Sequence, residues 1–288
     1  MQPTATPLRT VVITGASTGI GAACALELAA RGWRVFAGVR RTTDGEHLTK
    51  EGGGNIVPLQ LDVTSSEHLA AAVDTVRAAT GDAGLDGLVN NAGIALSGPL
   101  EFVPLEDFKA MFEVNVFGLI AATQAFLPLL RTARGRIVLT GSNSGFWCEP
   151  FLAGYGGTKH AVEAIGDSLR IELDPWGIET VIVEPGMIRT PIWDKSKAAT
   201  QSVLDRLPEP CKTLYGDRLN RLSEVSDKAL RVAIPPQKVA VAVTHVLEAK
   251  RPKTRYRVGL DSKLQAKLRP LLPDRWRDAI NKAIIGLK

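Results

Sequence analysis

The chain has 288 residues, 45% hydrophobic and 23% charged, with a formal net charge of +5. These are ordinary values for a soluble globular protein, and the length suits one large α/β domain whose core needs no disulfide staple. Cys24, Cys148 and Cys211 are too scattered for a disulfide or metal spacing, so no metal is expected, and this usage fits a reducing compartment. Met1 to Thr10 has no apolar signal region and no stretch is expected to approach the ~18 to 20 apolar residues of a membrane span, which points to the cytoplasm. The charge is uneven. From Lys250 onward there are 12 Lys/Arg against 3 Asp/Glu, a tail able to touch an anionic surface, although a solvated helical face beside a core is the simpler expectation.

In chain order, Val11-Val12-Ile13 reads as a short buried strand before a glycine turn. Ile20 to Arg31 reads as a helix ended by Gly32, Arg34 to Val39 as a second strand, and Asn55 to Leu61 as a third, closed by Asp62. Ser66 to Thr80 has helical periodicity, and Leu85 to Val89 is a fourth strand ending at Asn90. Leu105 to Leu130 reads as one long helix, Arg136 to Thr140 as a fifth strand, Tyr155 to Leu173 as a helix, and Glu179 to Val183 as a strand cut by Pro185-Gly186. Such alternation implies right-handed βαβ units and a doubly wound parallel sheet covered on both faces. After Pro191 it stops. Residues 191–234 look helical in pieces and lie next to the presumed site, so they are the natural substrate lid. Val239 to Glu248 is a further helix and Arg255 to Val258 a last strand. Two amphipathic stripes follow, Leu260, Leu264, Leu268 and then Trp276, Ile280, Ile284, separated by Pro270 and Pro273.

The segment Thr14-Gly15-Ala16-Ser17-Thr18-Gly19-Ile20-Gly21 follows a strand and opens a helix, the context a phosphate site needs. Its G-x-x-x-G-x-G spacing is not the general dinucleotide fingerprint, and alone it could be only a structural turn. Asp62 could accept from an adenine amino group or cap the next helix, a job for which Ser65 competes. The second strand ends in Val39-Arg40-Arg41, where a dinucleotide site puts either an acid for the ribose 2′-OH or an Arg for a 2′-phosphate. Val39 cannot make the first contact and Arg40 can make the second, so NADP is favoured with NAD possible. The alternative is two solvated surface arginines.

Asn90-Asn91-Ala92-Gly93 follows the fourth strand, and Asn115 sits inside a helical pattern, an odd place for Asn unless its side chain is used. Ser142 ends the fifth strand, and Tyr155 and Lys159 share one face of the next helix. An ammonium near a phenol is expected to lower its pKa from roughly 10 and tune it for proton transfer at an alcohol or carbonyl oxygen. The four histidines, at 47, 68, 160 and 245, are not placed for a hydrolase triad, and His160 diverges from Lys159 around the helix.

In these ordered motifs, over roughly residues 8–260, the chain resembles the short-chain dehydrogenase/reductase superfamily in its standard-length branch. The resemblance implies a Rossmann-type single domain with Asn115, Ser142, Tyr155 and Lys159 as the catalytic set. Tyr155 would be the general acid/base, Lys159 would lower its pKa and hold the nicotinamide ribose, Ser142 would orient the substrate oxygen, and Asn115 would support a water relay. The cofactor would lie against Gly15, Ser17, Thr18, Gly19, Ile20 and Gly21, against Arg40, Asp62 and Val63, and against Asn91, Ala92 and Gly93. Its nicotinamide end would meet Tyr155 and Lys159 together with Pro185, Gly186, Ile188 and Thr190. Val35-Phe36-Ala37-Gly38, Phe126 to Arg131, Arg255-Tyr256-Arg257 and the insertion with Tyr215-Gly216 look more narrowly like the retinol and hydroxysteroid dehydrogenases, whose members often prefer NAD.

The expected activity is interconversion of an alcohol and a carbonyl on an apolar, steroid-, retinoid- or lipid-like substrate, with Phe146, Trp147, Phe151, Leu152, Met187, Ile192 and Trp193 as candidate pocket walls. A non-catalytic nucleotide-binding sensor on the same fold is the alternative, disfavoured because both Tyr155 and Lys159 are present. No nucleic-acid partner is expected. A homodimer or homotetramer is, through the Leu105 and Tyr155 helices, and peripheral membrane contact by the basic C-terminus is possible, as is packing of that tail across a subunit interface.

Overall fold

The computed structural model describes residues 8–193 and 209–284. Seven strands form one sheet: β1 Thr10–Ile13, β2 Arg34–Val39, β3 Ile56–Gln60, β4 Gly87–Asn90, β5 Arg136–Thr140, β6 Glu179–Pro185 and β7 Arg255–Val258. Every neighbouring pair is parallel, in the order β3-β2-β1-β4-β5-β6-β7. The chain winds from β1 out to β3 and then returns to the other side of β1 to begin β4. Crossovers therefore diverge between β1 and β4, leaving a crevice at the carboxyl ends of the strands, where open α/β sheets bind ligands.

All four residues of β1 are buried, because helices cover both faces. Val11 and Ile13 pack with α1 (Gly19–Ala30) and the helix Gln237–Glu248. Val12 points the other way, into the cluster of α3 (Ser66–Thr80), α5 (Gly118–Ala133) and α6 (Ala153–Glu172), as the two-residue period of a strand requires. The fold is thus the Rossmann-type doubly wound sheet that the alternation of elements implied.

Two expectations change. The helix anticipated over Leu105 to Leu130 is two helices, α4 (Leu105–Phe112) and α5, joined by a π turn over Glu113–Phe117. The extra residue of that turn carries Asn115 inward, where its side chain takes over backbone hydrogen bonding for the neighbouring loop. The stretch Leu105–Ala133 is also long and apolar enough to cross a membrane by length and composition, with a window of mean hydropathy 1.5, contrary to the expectation that no such stretch exists. Here it is a covering helix: Leu119, Ala122, Phe126 and Leu130 are buried against the sheet. Finally, the part of the anticipated lid that is described beyond residue 208 holds one long helix over Glu209–Arg231; residues 194–208 of the anticipated lid lie outside the described residues.

The C-terminal stripes do not face a core. In the helices Leu260–Leu268 and Asp274–Ile284, Leu260 is 81% and Trp276 66% exposed. The polar sides of these helices instead fold back over the loop after β5: Asn143 donates to Gln265 (2.9 Å), Trp147 Nε1 donates to Asn281 (2.8 Å), and the Asn281 amide donates to the Cys148 carbonyl (3.2 Å).

Candidate active site

The turn after β1 lies directly against the turn after β4. Thr14 Oγ1 accepts from the backbone N–H groups of Asn91 (2.9 Å) and Ala92 (3.0 Å), and the Asn91 side-chain amide donates to the carbonyls of Thr14 and Gly15 (3.0 Å each). Gly15 has φ +64°, and a Cβ there would sit 2.8 Å from Ala92 Cα. At Gly21 it would sit 2.4 Å from the Gly15 carbonyl and 2.6 Å from Asn91 Nδ2. Both positions need glycine because backbone meets backbone. Thr18, at the N-cap of α1, is extended and gives no side-chain cap, so the first N–H groups of α1 face the crevice free to meet an anion. Gly15, Ser17, Thr18, Gly19 and Ile20 line that crevice, whereas Gly21 lies beneath the loop. An uncapped helix start over a backbone cradle fits a dinucleotide pyrophosphate.

Further along the sheet edge the crevice is lined by Arg40, Asp62 and Val63. Arg41 is exposed and held by Asp44 (2.8 Å), while Arg40 projects beside Asp62. Burial disfavours the ionised Asp62, but hydrogen bonds from the Thr64 backbone and hydroxyl, with the nearby Arg40 charge, leave its pKa below the ordinary value. Ser65, not Asp62, caps α3, accepting from His68 N (3.2 Å). Asp62 is thereby left on the crevice wall.

At the other end Ser142, Tyr155 and Lys159 line the same cavity, together with Asn91, Ala92, Gly93, Pro185, Gly186, Ile188 and Thr190. Ser142 Oγ donates to Asn143 Oδ1 (3.1 Å) and accepts from Ser144 N (3.1 Å), and its hydroxyl bears on the Tyr155 phenol. Lys159 is buried with Nζ 5.7 Å from the Tyr155 ring centroid, and it donates to the Thr140 carbonyl (2.8 Å). Asn115 is the predicted catalytic residue that does not reach the cavity. Its amide spans the loop after β4, accepting from Ile94 N (2.8 Å) and donating to Ile94 O (2.9 Å) and Thr158 Oγ1 (3.1 Å). His160 bonds the Gly156 carbonyl of its own helix and lies outside the cavity.

The electrostatics differ from the sequence expectation. The Tyr155 phenol is raised above its ordinary value: burial dominates, the Ser142 hydrogen bond opposes it, and the Glu149 charge adds to it. Burial also pulls Lys159 down to about 8, with Glu163 working in the opposite direction. Burial thus moves both groups toward their neutral forms, and the spacing of Tyr155 and Lys159 alone does not lower the phenol. Behind Lys159, Glu163 and Glu184 share Arg255, which also pairs with Asp167, while Glu184 pairs with Arg257. Glu184 is 1% exposed, and burial pushes it up to about 7 against the pull of both arginines.

The cavity measures about 510 Å³, large enough for a dinucleotide's reactive end and a small guest. Leu152, Met187, Ile192 and Trp193 line it as anticipated. Phe146, Trp147 and Phe151 do not. Phe146 lies under Arg257 and Trp147 is tied to Asn281. Phe151, at φ +65°, turns its ring edge-on to Tyr215 (6.2 Å) and so braces the lid helix. Sequence reasoning missed Glu149, Asp261 and the lid residues Leu222, Val225 and Ala229, all of which line the cavity. The spacing of Leu222, Val225 and Ala229 was a legible helical stripe. Glu149 was also visible, as a lone acid within Gly145-Phe146-Trp147-Cys148-Glu149-Pro150-Phe151.

A doubly wound sheet, a glycine cradle at its switch point and a Ser–Tyr–Lys group beside it define a nucleotide-dependent oxidoreductase of the Rossmann class. Residues 9–201 match the short chain dehydrogenase family, and the chain belongs to it. It is 35% identical over 278 residues to the NADPH-dependent 3-dehydrocapnine reductase of Ornithobacterium rhinotracheale, covering 95% of this chain and 96% of that protein. It is 37% identical over 265 residues to retinol dehydrogenase 16 of Mus musculus, covering 88% and 81%. To the mitochondrial D-beta-hydroxybutyrate dehydrogenase of Rattus norvegicus it is 35% identical over 260 residues, covering 86% and 76%. Among solved structures, a short-chain dehydrogenase from Streptomyces avermitilis superposes with a TM-score of 0.74 at 26% identity, covering 91% of this chain and 95% of that one. A Burkholderia cenocepacia short chain dehydrogenase in complex with NADP gives 0.70 at 25%, covering 96% and 97%.

Proposed function

We propose that this protein is an NADP(H)-preferring carbonyl reductase or alcohol dehydrogenase acting on an apolar, lipid-like substrate, with Tyr155 as the proton-transferring group. The observation that carries this reading is the convergence of Ser142, Tyr155 and Lys159 on one cavity with the glycine cradle. Bound there, the nicotinamide supplies the hydride donor or acceptor. The first turn of α1 and the Gly15 cradle would hold the pyrophosphate, Arg40 the ribose phosphate, and Lys159 the nicotinamide ribose. Ser142 positions the reacting oxygen and Tyr155 passes the proton to or from it. With its pKa raised, the phenol is protonated at neutral pH, which suits donation to a nascent alkoxide and hence the reducing direction. Asn115 acts as a positioning residue for the Ile94 backbone and Thr158. The non-catalytic alternative gains no support from a cavity in which the proton-transfer residues are assembled.

Preference for NADP over NAD rests on Arg40 beside a non-acidic Val39, and on relatives described as NADPH-dependent or bound to NADP. Fluorescence titration of NADPH and NADH tests it. Arg40→Ala is expected to weaken NADPH by about 10-fold or more, the worth of a charge-assisted contact, and to leave NADH nearly unchanged. Equal losses for both would refute the assignment. Tyr155→Phe is expected to reduce turnover about 10²- to 10⁴-fold with cofactor affinity retained; undiminished turnover would remove Tyr155 from the chemistry.

The exposed Leu260, Leu264, Leu271 and Trp276 beside basic residues support docking of the C-terminal face on an anionic membrane, and the exposed Leu105, Phe117 and Ile171 support a homodimer or homotetramer. Three free cysteines are consistent with a cytoplasmic setting. Sedimentation with anionic vesicles and analytical ultracentrifugation address the two surfaces separately.

A further inference from the structure

Glu149 is a carboxylate on the wall of the catalytic cavity that the mechanism above does not use. It lies in the loop between Ser142 and Tyr155, close enough that its charge acts on the Tyr155 phenol. Among the described residues no hydrogen bond or ion pair engages its side-chain oxygens. The neighbouring charge that acts on it is a second carboxylate, Asp261, whose Oδ2 accepts from Met187 N (2.6 Å). Burial and Asp261 together push the Glu149 carboxyl above its ordinary value. A half-buried carboxylate with no partner costs stability unless something completes it. The cation nearest to the reaction, Lys159, is spent on the Thr140 carbonyl and faces Glu163. Leu152, Ile192, Trp193, Leu222 and Val225 give the cavity an apolar wall, beside the neutral polar side chains of Asn143, Ser226, Gln265 and Asn281.

We infer that Glu149 recognises a cationic group, an ammonium carried close to the reacting carbon of an apolar-chain ketone or alcohol, and that the same carboxylate rejects anionic substrates. This deepens the oxidoreductase reading and rests on it. An ammonium would complete Glu149, gain from the Asp261 field and leave its chain against the lid helix. A carboxylate or phosphate in that place would meet two like charges, Arg40 lying at the nucleotide end of the cavity and Lys159 being engaged by the Thr140 carbonyl. The small hydroxy acid named for one relative is therefore the wrong charge for this wall.

The test separates charge from shape. With the NADPH-loaded full-length protein, the binding of octylamine, octanol and octanoate is measured by calorimetry, and the turnover of 2-aminooctan-3-one is compared with that of its N-acetyl derivative. The expected order of binding is amine, alcohol, carboxylate. The amine's advantage over octanol should shrink about 10- to 100-fold in Glu149→Gln, the worth of a charge-assisted hydrogen bond, and invert in favour of octanoate in Glu149→Lys. The free amine to N-acetyl ratio of kcat/KM should fall by a similar factor in Glu149→Gln. Because both ketones use Tyr155, that ratio is insensitive to any change in its pKa. Octanoate binding as well as octylamine, no binding by any of the three, or an order untouched by the two variants would overturn the inference. If turnover in these experiments still depends on Tyr155, the failure belongs to Glu149 and the oxidoreductase reading stands. If the protein binds neither NADPH nor NADH, the reading itself has failed.

Discussion

Lys159→Met should make the protein more stable and less active at once. The lysine is buried, and its pKa falls from 10.5 to about 8. At about 1.4 kcal/mol per unit, the folded state at pH 7 carries about 3 kcal/mol of cost for keeping that ammonium charged. Methionine fills similar volume without the charge. It loses the 2.8 Å hydrogen bond to the Thr140 carbonyl and leaves that acceptor unpaired, which returns about 1 to 2 kcal/mol. The net expectation is a gain of about 1 to 2 kcal/mol in urea unfolding at pH 7, alongside loss of turnover. The pH dependence gives a second check. Between pH 8 and 10.5 the folded wild type binds fewer protons at this site than the unfolded chain, so its stability rises with pH through that window. The variant lacks this rise, and its advantage should shrink toward pH 9.5. A variant less stable than wild type at pH 7, or an advantage that does not change by pH 9.5, would show that Lys159 is not held against its own desolvation.

Two further perturbations probe the supports of the site. Arg255→Leu leaves Glu163 and Glu184 facing each other with one partner removed, and should cost about 3 to 5 kcal/mol at pH 8 by urea unfolding. Both carboxyls are already raised, and Glu184, at about 7, is protonated at pH 5, so the cost should be smaller there; an equal loss at both pH values would refute the charge argument. Thr14→Val keeps the shape but orphans the Asn91 and Ala92 N–H groups. Cofactor affinity should fall about 10-fold with about 2 kcal/mol of stability, and Thr14→Ser should restore both.

The chain order of elements was readable because each strand and helix carries its own period, and the parallel sheet follows from their alternation. The cofactor loop, Ser142 and the Tyr155–Lys159 pair were equally readable: their roles depend on short spacings next to predictable strand ends. Asn115 marked itself as an oddity, but only the π turn shows that its amide is consumed by Ile94 and Thr158 rather than turned to the cavity. Phe146, Trp147 and Phe151 looked like pocket walls from their composition, yet a loop without periodicity gives no direction to its side chains, and they were claimed by Arg257, Asn281 and Tyr215. The Tyr155 phenol shows the same division. Sequence placed the lysine one helical turn away, whereas its effect depends on burial, on the Thr140 carbonyl and on Glu149, none of which spacing encodes. Local sequence therefore determined which groups are present and on which element. Tertiary packing alone decided their solvation, their partners and the cavity that a lid and a C-terminal extension more than fifty residues away close over them, because desolvation and long-range contacts are properties of the assembled chain.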